Sequence, residues 1–389
     1  MGNRYIHYRS RAFPRGVLIA ACVLMSLSVG LPAAYQSHTA GGEVYIFSPD
    51  AKYVRVSLNS KLFINDVGNL WYMKIFEVSR LVLDPTHREL LVITRLWPLQ
   101  GSTNPSHQEY EATGIVVLKE DQRGALTNAL QPDGHPTVVR PPAPGYDVYT
   151  AFIFVQEPKK LFVTWLRAEA SGIDYDTYVY DRSNAYRVAD VLEGVMFYNN
   201  SCYLNGTVLI PNVIAGTVKS IDINTHKMET RTLAATDISG CTTKGLLANY
   251  GCLDAFTCRM ASAAKEPQVK YFLYDLEKDK VIVPIELSGY ADVHFVDDGK
   301  YLVADREVIE KERVTRNGDL VVYETNSGRQ MASMQVPSGG TECVLGMQGN
   351  RGYYFSPHKL SMLDFGAWKV IGSLELPFDR GVIGILEGK

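Results

Sequence analysis

From residue 43 onward the apolar positions come in short bursts, and no stretch carries the 3.6-residue spacing of an amphipathic helix. One pattern is an apolar run, a tight polar turn and a second apolar run. It recurs as VYIFSPDAKYVRV (44–56), LVLDPTHRELLVI (81–93), FIFVQEPKKLFVTW (152–165), MFYNNSCYLNGTVLI (196–210), VHFVDDGKYLVA (293–304) and VLGMQGNRGYYFS (344–356). Each predicts two antiparallel strands, because Pro, Gly, Asp and Asn supply the backbone angles of the intervening turn. The second pattern is an alternating strand that ends in an acid, then a short polar turn and another apolar strand. Its acids are Asp66, Asp121, Asp181, Asp222, Asp275, Glu324 and Asp364, spaced about fifty residues apart. Their first role is structural, since a carboxylate opening a turn accepts the turn's backbone N–H groups.

A lone four-stranded sheet cannot cover both of its faces, so repeated sheets of this kind stack around an axis and close into a ring. The predicted fold is all-β: one seven-bladed β-propeller of four-stranded antiparallel blades, spanning 43–389. The final segment, RGVIGIL (380–386), is a strand left over after the seventh hairpin. We expect it to pair with residues near Glu43–Phe47 and so to close the ring with both chain ends.

Residues 1–35 have a different character. Arg4, Arg9, Arg11 and Arg15 precede the uncharged stretch Gly16–Tyr35, which ends in small residues near Leu31-Pro32-Ala33-Ala34. This is the order of a secretory signal peptide. An uncleaved N-terminal anchor is the other reading, since twenty uncharged residues reach across a bilayer. Pro32 and the dilution by Gly, Ser and Ala favour cleavage. Either way the chain is expected to be exported, to a periplasmic or extracellular location. Without residues 1–35, which hold four arginines and no acid, the formal net charge moves from −3 to −7. A mildly acidic body lacks the basic surface that nucleic-acid binding needs. No membrane contact is expected beyond the N-terminal segment.

Cysteine chemistry is permitted in an exported chain. Five of the six cysteines, Cys202, Cys241, Cys252, Cys258 and Cys343, follow the signal segment, with no CxxC or CxxCH spacing. The segment CTTKGLLANYGCLDAFTC (241–258) reads as a hairpin turning near Asn249-Tyr250-Gly251, which makes Cys241 and Cys258 candidates for a cross-strand disulfide. A Cys252–Cys258 bridge and free thiols remain alternatives, and Cys202 and Cys343 have no assigned role. The eight histidines show no HxH, HxxxH or HExxH spacing, and there is no GxSxG elbow or phosphate-binding GxxxxGK[ST] loop. No catalytic, cofactor-binding or metal-ligating residue is assigned, and the chain is read as not catalytic by itself.

Three polar or proline-rich insertions interrupt the rhythm: Trp97–Thr113, Gln131–Tyr146 and Ala304–Gly318. Long loops on a rigid scaffold often carry function. Trp97, Tyr110, Tyr146, Arg306 and Arg313 are therefore the candidate binding residues.

Two local patterns, VIEKERVTRNGDLVVYETNSGRQMASMQVP (308–337) and the Cys241–Cys258 hairpin, resemble the heavy chain of the methylamine and aromatic amine dehydrogenases. The rest of the chain is similar to propellers of the broad YVTN/WD40-like kind. The heavy-chain resemblance implies an exported seven-bladed scaffold, with a disulfide at the counterpart of the Cys241–Cys258 hairpin. It also implies a small redox subunit as partner, carrying a tryptophan-derived quinone cofactor that this chain does not hold. Three functions follow as expectations: a noncatalytic propeller that binds a protein partner or ligand through its loops, a heavy-chain-like scaffold subunit, or a metal-dependent propeller hydrolase or lactonase.

Overall fold

The computed structural model describes residues 43–386 except 58–62, 85–88, 97–111, 122–124, 233–240, 261–268, 286–289, 337–343, 378–381 and gaps of one to three residues elsewhere. The segment read as a secretory signal, residues 1–35, therefore lies outside the described residues. Among the fully described elements, all but a one-turn 3-10 helix at Arg182–Asn184 are strands. The chain opens with β1 (Glu43–Phe47), β2 (Lys52–Ser57) and β3 (Phe63–Asn69). The second sheet follows as β4 (Arg80–Asp84), β5 (Glu89–Leu96), β6 (Ala112–Glu120), β7 (Leu126–Asn128) and β8 (Val138–Val139). Next come β9 (Asp147–Phe152), β10 (Lys160–Glu169), β11 (Gly172–Asp181) and β12 (Arg187–Glu193), then β13 (Cys202–Leu204), β14 (Thr207–Asn212), β15 (Thr217–Asp222) and β16 (Met228–Thr232). They are followed by β17 (Cys241–Tyr250), β18 (Leu253–Met260), β19 (Val269–Asp275) and β20 (Lys280–Ile285). The rest is β21 (Tyr290–Val296), β22 (Tyr301–Glu310), β23 (Arg313–Glu324), β24 (Gln330–Gln335), β25 (Val344–Gln348), β26 (Arg351–Ser356), β27 (Lys359–Asp364), β28 (Lys369–Glu375) and β29 (Val382–Leu386).

These strands form a β-propeller of antiparallel sheets. Among the described residues six sheets are four-stranded blades, and one, β4 to β8, has five strands. The expectation of seven uniform four-stranded blades is corrected accordingly. The cause is the proline-bearing loop at 129–137, which splits the outer strand of that sheet into two short pieces. β7 pairs with Leu118–Glu120, and β8 pairs further along the same strand, at Ile115 and Val116.

The sheets bury both faces, which explains why the strands read as unbroken apolar runs. Side chains alternate between faces along a strand. On β23, Val321 and Tyr323 join the cluster shared with β17–β20, whereas Leu320 and Val322 join the one shared with β25–β28. On β6, Val116 and Leu118 pack toward β1–β2, and Ile115 and Val117 toward β9–β11. The core is thus a series of seams between successive sheets. The series closes where Val44, Ile46, Val54 and Val56 meet Tyr353, Phe355, Leu360 and Met362.

Ring closure follows the expected route. β29 pairs antiparallel with β1, from Val382 opposite Phe47 to Leu386 opposite Glu43. β29 packs between β25 and β4, the first strands of the flanking sheets, and so takes the innermost position of its blade. Consequently β1, β2 and β3 are the second, third and fourth strands of that blade. This shifts the expected reading of the first repeat by one strand. Asp66 does not open a turn; it lies inside β3 and accepts a hydrogen bond from Tyr53 Oη at 3.0 Å.

The disulfide also differs from expectation. It joins Cys202 on β13 to Cys252 in the β17–β18 turn, with the Cα atoms 5.3 Å apart, and so links two neighbouring blades. That bond takes Cys252 from the Cys252–Cys258 alternative. The β17–β18 register sets Met260 opposite Cys241 and Lys244 opposite Cys258, so the two candidate positions do not face one another. The side chains of Cys241 and Cys258 lie outside the described ones.

Two outcomes test this architecture. Deleting residues 378–389 removes the innermost strand of the closing blade and uncovers β1. The truncated protein should lose its cooperative thermal transition, and a melting curve matching the full-length one would refute closure by β29. The Cys202–Cys252 bond closes a loop with a sequence separation of 50, which in the chain-entropy account stabilises by about 4 kcal/mol. The Cys202→Ser/Cys252→Ser protein should melt several degrees lower, and reductant should lower the melting point of the parent but not of the variant.

Candidate functional site

Consecutive antiparallel strands divide the ring into two faces. In the four-stranded blades, the first-to-second and third-to-fourth turns lie on one face. The second-to-third turns and the connections between sheets lie on the other.

The first face is built from short, self-satisfied turns. The Asp222 carboxylate accepts from the backbone N–H groups of Asn224 and Thr225 at 2.9 and 2.8 Å. Asp364 does the same with Gly366 and Ala367, Asp121 with Ala125, Asp181 with Ser183 and Asp275 with Lys278. Glu324 accepts from the Ser327 hydroxyl, while its own carbonyl takes the Gly328 N–H. These bonds hold the Asp222 carboxyl below the usual carboxylate range, the Thr225 N–H being the largest cause. Six of the seven repeating acids thus serve their own turns.

Polar contacts across the seams are frequent. Tyr45 Oη donates to Glu120 at 2.9 Å, Tyr203 Oη to Glu157 at 2.7 Å and Tyr354 Oη to Asp305 at 2.7 Å. At the seam between β4–β8 and β9–β12, buried Glu89 receives Tyr186 Oη at 2.5 Å, Lys119 Nζ at 2.9 Å and the buried Arg182 guanidinium at 3.3 Å. Burial, followed by the Glu89 charge, pushes the Tyr186 hydroxyl above its ordinary value. These groups are committed to holding sheets together.

The second face carries the length variation. The β5–β6 connection is second-to-third and starts and ends on this face, as does the 304–318 segment; the 131–146 segment instead opens within the outer strand of its sheet, between β7 and β8, and only its last residues connect to β9 here. The 304–318 segment is not a loop but a β-ribbon: Glu307 to Glu310 pair with Arg313 to Arg316, beyond the last residues that β21 and β24 pair. β10 and β11 form a second such arm, with Arg167 opposite Asp174 and Glu169 opposite Gly172, past the reach of β9 and β12.

Among the candidate binding residues, Trp97 and Tyr110 lie outside the described residues, as does the side chain of Arg313. Arg306 is half exposed at the base of the 307–316 arm and pairs with Asp319 at 3.3 Å. Tyr146 sits in a different blade, buried at the foot of the 167–174 arm. Its hydroxyl donates to Asp174 Oδ2 at 2.5 Å, and the Arg167 guanidinium stacks over its ring at 4.8 Å while reaching Asp174 and Glu169 at 3.3 and 2.5 Å. Tyr146 and Arg306 therefore mark the feet of two separate arms on one face.

Sequence reasoning did not anticipate a second group at the inner rim of this face. Tyr149 is the extra residue of a β-bulge in β9, the innermost strand of its blade, and remains 37% exposed. Its ring meets Tyr198 edge-on, with centroids 6.5 Å apart. Tyr198 lies in the connection to β13, held by its N–H donating to Ser201 Oγ at 2.9 Å. Burial raises the Tyr198 hydroxyl above its ordinary value, and Tyr175 on β11 is near enough to add to that effect. Beneath them a buried hydroxyl chain fixes the connection: Phe197 N–H donates to Thr164 Oγ1 at 3.1 Å, the Thr164 and Thr177 hydroxyls lie 2.7 Å apart, and Thr177 donates to the Val195 carbonyl at 2.7 Å. Thr150, next to Tyr149, is fully buried, and its hydroxyl has no hydrogen-bond partner. A lone Tyr in an alternating strand gives no sign in sequence that a bulge will turn it outward. Among the described residues no three His, Cys, Asp or Glu side chains gather at metal-binding distance.

No protein-family model matches the chain. No curated protein matches it in sequence. Solved structures do match in fold. Apo AztD from Citrobacter koseri superposes with a TM-score of 0.52 at 12% identity, covering 90% of this chain and 99% of that one. A second crystal structure of Citrobacter koseri AztD gives 0.50 at 14% identity, covering 90% and 99%. The dihydro-heme d1 dehydrogenase NirN in complex with DHE gives 0.44 at 12% identity, covering 91% and 69%. At these identities the likeness to the two AztD structures establishes a shared propeller fold. The amine dehydrogenase resemblance finds no support: its hairpin counterpart is not where the described disulfide lies, and the generic blade repeat accounts for the rest.

The Tyr146–Asp174 bond has a measurable consequence. Chiefly because Asp174 accepts its proton, Tyr146 is pushed up to about 12. A raised phenol pKa stabilises the fold below the ordinary value, near pH 10, and that contribution is lost as pH climbs through 12. In a tyrosine ring-carbon NMR titration, Asp174→Asn should bring the Tyr146 midpoint back toward 10, and an unchanged midpoint would show that the carboxylate is not the cause.

Proposed function

We propose that this chain is an exported, noncatalytic binding propeller that holds a protein partner on its insertion-bearing face. The observation that carries the reading is the segregation of length variation. The long β5–β6 connection and two strand arms start from one face, while the acid-capped turns on the other are short and satisfied from within. Arms of this kind present strand edges beyond the reach of the neighbouring strands of their own blades, a common means of peptide and protein recognition. Export rests on the N-terminal arginines and apolar stretch. An interblade disulfide is the kind of bond that persists in an oxidising compartment.

Affinity capture from the exported fraction of the native host tests the face assignment. Deleting residues 99–111, or shortening the 307–316 arm to a tight turn, should abolish or weaken capture by at least tenfold. Asp222→Ala and Asp364→Ala, on the opposite face, should leave it unchanged. Loss of the partner from the turn variants, with retention in the arm variants, would assign binding to the wrong face here.

A further inference from the structure

At the outer rim of the ring, we infer that β16 (Met228–Thr232) pairs antiparallel with β16 of a second copy of this chain, joining two blades into one continuous sheet. The inference stands on the outer strands and does not depend on the face assignment above.

The fourth strand of a blade is an edge strand, with a row of backbone N–H and C=O groups open to another chain. Five of the six four-stranded blades interrupt that row with a β-bulge in the outer strand. The extra residue is Asn65 in β3, Ala189 in β12, Ile282 in β20, Met331 in β24 and Ile371 in β28. The outer strand of the five-stranded sheet is broken in two. A bulge bends an edge and disrupts its ladder, which is one way sheets avoid pairing with other chains. β16 has no such guard. It pairs with β15 in unbroken register, from Ile221 opposite Met228 to Thr217 opposite Thr232, and contains neither proline nor lysine.

The ladder fixes which of its groups face outward. Asp222 N–H donates to the Lys227 carbonyl at 3.0 Å, so 222 and 227 form a hydrogen-bonded pair. Such pairs alternate along an antiparallel ladder. Glu229 and Arg231 therefore bond inward to β15, while Met228, Thr230 and Thr232 direct their N–H and C=O groups away from it. A two-fold axis through Thr230 uses all three. Thr230 meets its own counterpart, Met228 meets Thr232 of the second copy, and each pair exchanges two backbone hydrogen bonds.

Charge selects the same register. With the axis at Thr230, Glu229 falls opposite Arg231 of the second copy, and Arg231 opposite its Glu229, in the more closely spaced pairs. Opposite charges and Thr–Thr pairs across two strands stabilise a sheet, whereas like charges repel. An axis at Glu229 or at Arg231 would set like charges against each other. Arg231 is already oriented at the rim by the Leu276 carbonyl at 2.9 Å and by Asp279 of the next blade. Exposed Glu229 pairs with Lys227 at 2.8 Å, and Met228, half exposed, loses water on pairing. Blade strands run from one face of the ring to the other, so antiparallel pairing turns the second copy over. The dimer thus presents its two arm-bearing faces in opposite directions.

Sedimentation velocity of the full exported protein tests the pairing, from about 1 µM to about 0.3 mM, as suits a small reversible interface. A monomer–dimer equilibrium is expected. Thr230→Lys sets two lysines together on the two-fold, and Glu229→Arg sets arginine against Arg231. Each should weaken the dimer at least about tenfold. Ser373→Lys, on the bulged outer strand β28, should leave it unchanged, and matching melting points show that the variants fold. Amide hydrogen exchange reads the register: the N–H groups of Met228, Thr230 and Thr232 should gain protection as concentration rises. A monomer at every concentration overturns the pairing, as does a dimer indifferent to both β16 variants. A dimer that protects residues 307–316 in place of β16 overturns it too.

Discussion

Closure of the ring by β29 against β1 is the constraint on which the rest of this structure depends. The inner strands of the blades are apolar on two sides, so a blade is stable only with a neighbour on each side. An open ring would leave one apolar face of the first blade and one of the last in water. The seam of Val44, Ile46, Val54 and Val56 against Tyr353, Phe355, Leu360 and Met362 removes both at once. Joining residues more than three hundred positions apart is not prohibitive, because loop-closure entropy grows only with the logarithm of loop length, by about 0.6 kcal/mol per doubling. The consequence falls on kinetics, since such non-local pairing slows folding.

Apolar seams are not directional, and by themselves they would tolerate sliding of one sheet over the next. The hydrogen bonds across them supply direction: Tyr45 to Glu120, Tyr203 to Glu157 and Tyr354 to Asp305 each tie one sheet to its neighbour at a single pair of atoms. Glu89 is the strongest case. Burying a lone carboxylate is costly, and here three donors from two sheets offset that cost at one defined position. The Cys202–Cys252 bond does the same work covalently. Each tie belongs to the scaffold, and none leaves a group over for a ligand.

The blade rhythm, the turn acids and the closing strand were legible in the sequence because each follows from local chemistry repeated many times. An acid two or three residues before a backbone N–H forms its turn whatever surrounds it, as Asp222 and Asp364 do. What escaped depends on the ring as a whole. Once β29 occupies the innermost place, the first repeat must shift by one strand, and Asp66 ceases to be a turn residue. The outer strand of the five-stranded sheet is broken by a loop whose prolines signal interruption but not that β8 will rejoin β6. The disulfide connects positions one repeat apart in sequence that become neighbours only through blade stacking. The arm-bearing face was legible in part: two of the insertions pointed to it, and Tyr146 and Arg306 lie at the feet of its arms. The tyrosines at the inner rim were not, because their meeting depends on one bulge and on a connection fixed by buried threonines.

The asymmetry between the two faces has a simple origin in the chain path. A turn between the third and fourth strands of a blade has only those strands to join, and a carboxylate that satisfies its N–H groups completes it, so nothing is gained by lengthening it. The hairpin between the second and third strands can grow outward as a ribbon without disturbing the seams below, since its backbone continues to pair with itself. Arg167–Asp174 and Glu307–Arg316 are such growths, and the bulge at Tyr149 is the same freedom expressed inside a strand. Variation therefore accumulates on one face because only there does it leave ring closure untouched. The face where the hairpins can lengthen is the one to which the proposed function assigns recognition, and the Tyr149–Tyr198 pair lies where that face meets the innermost strands.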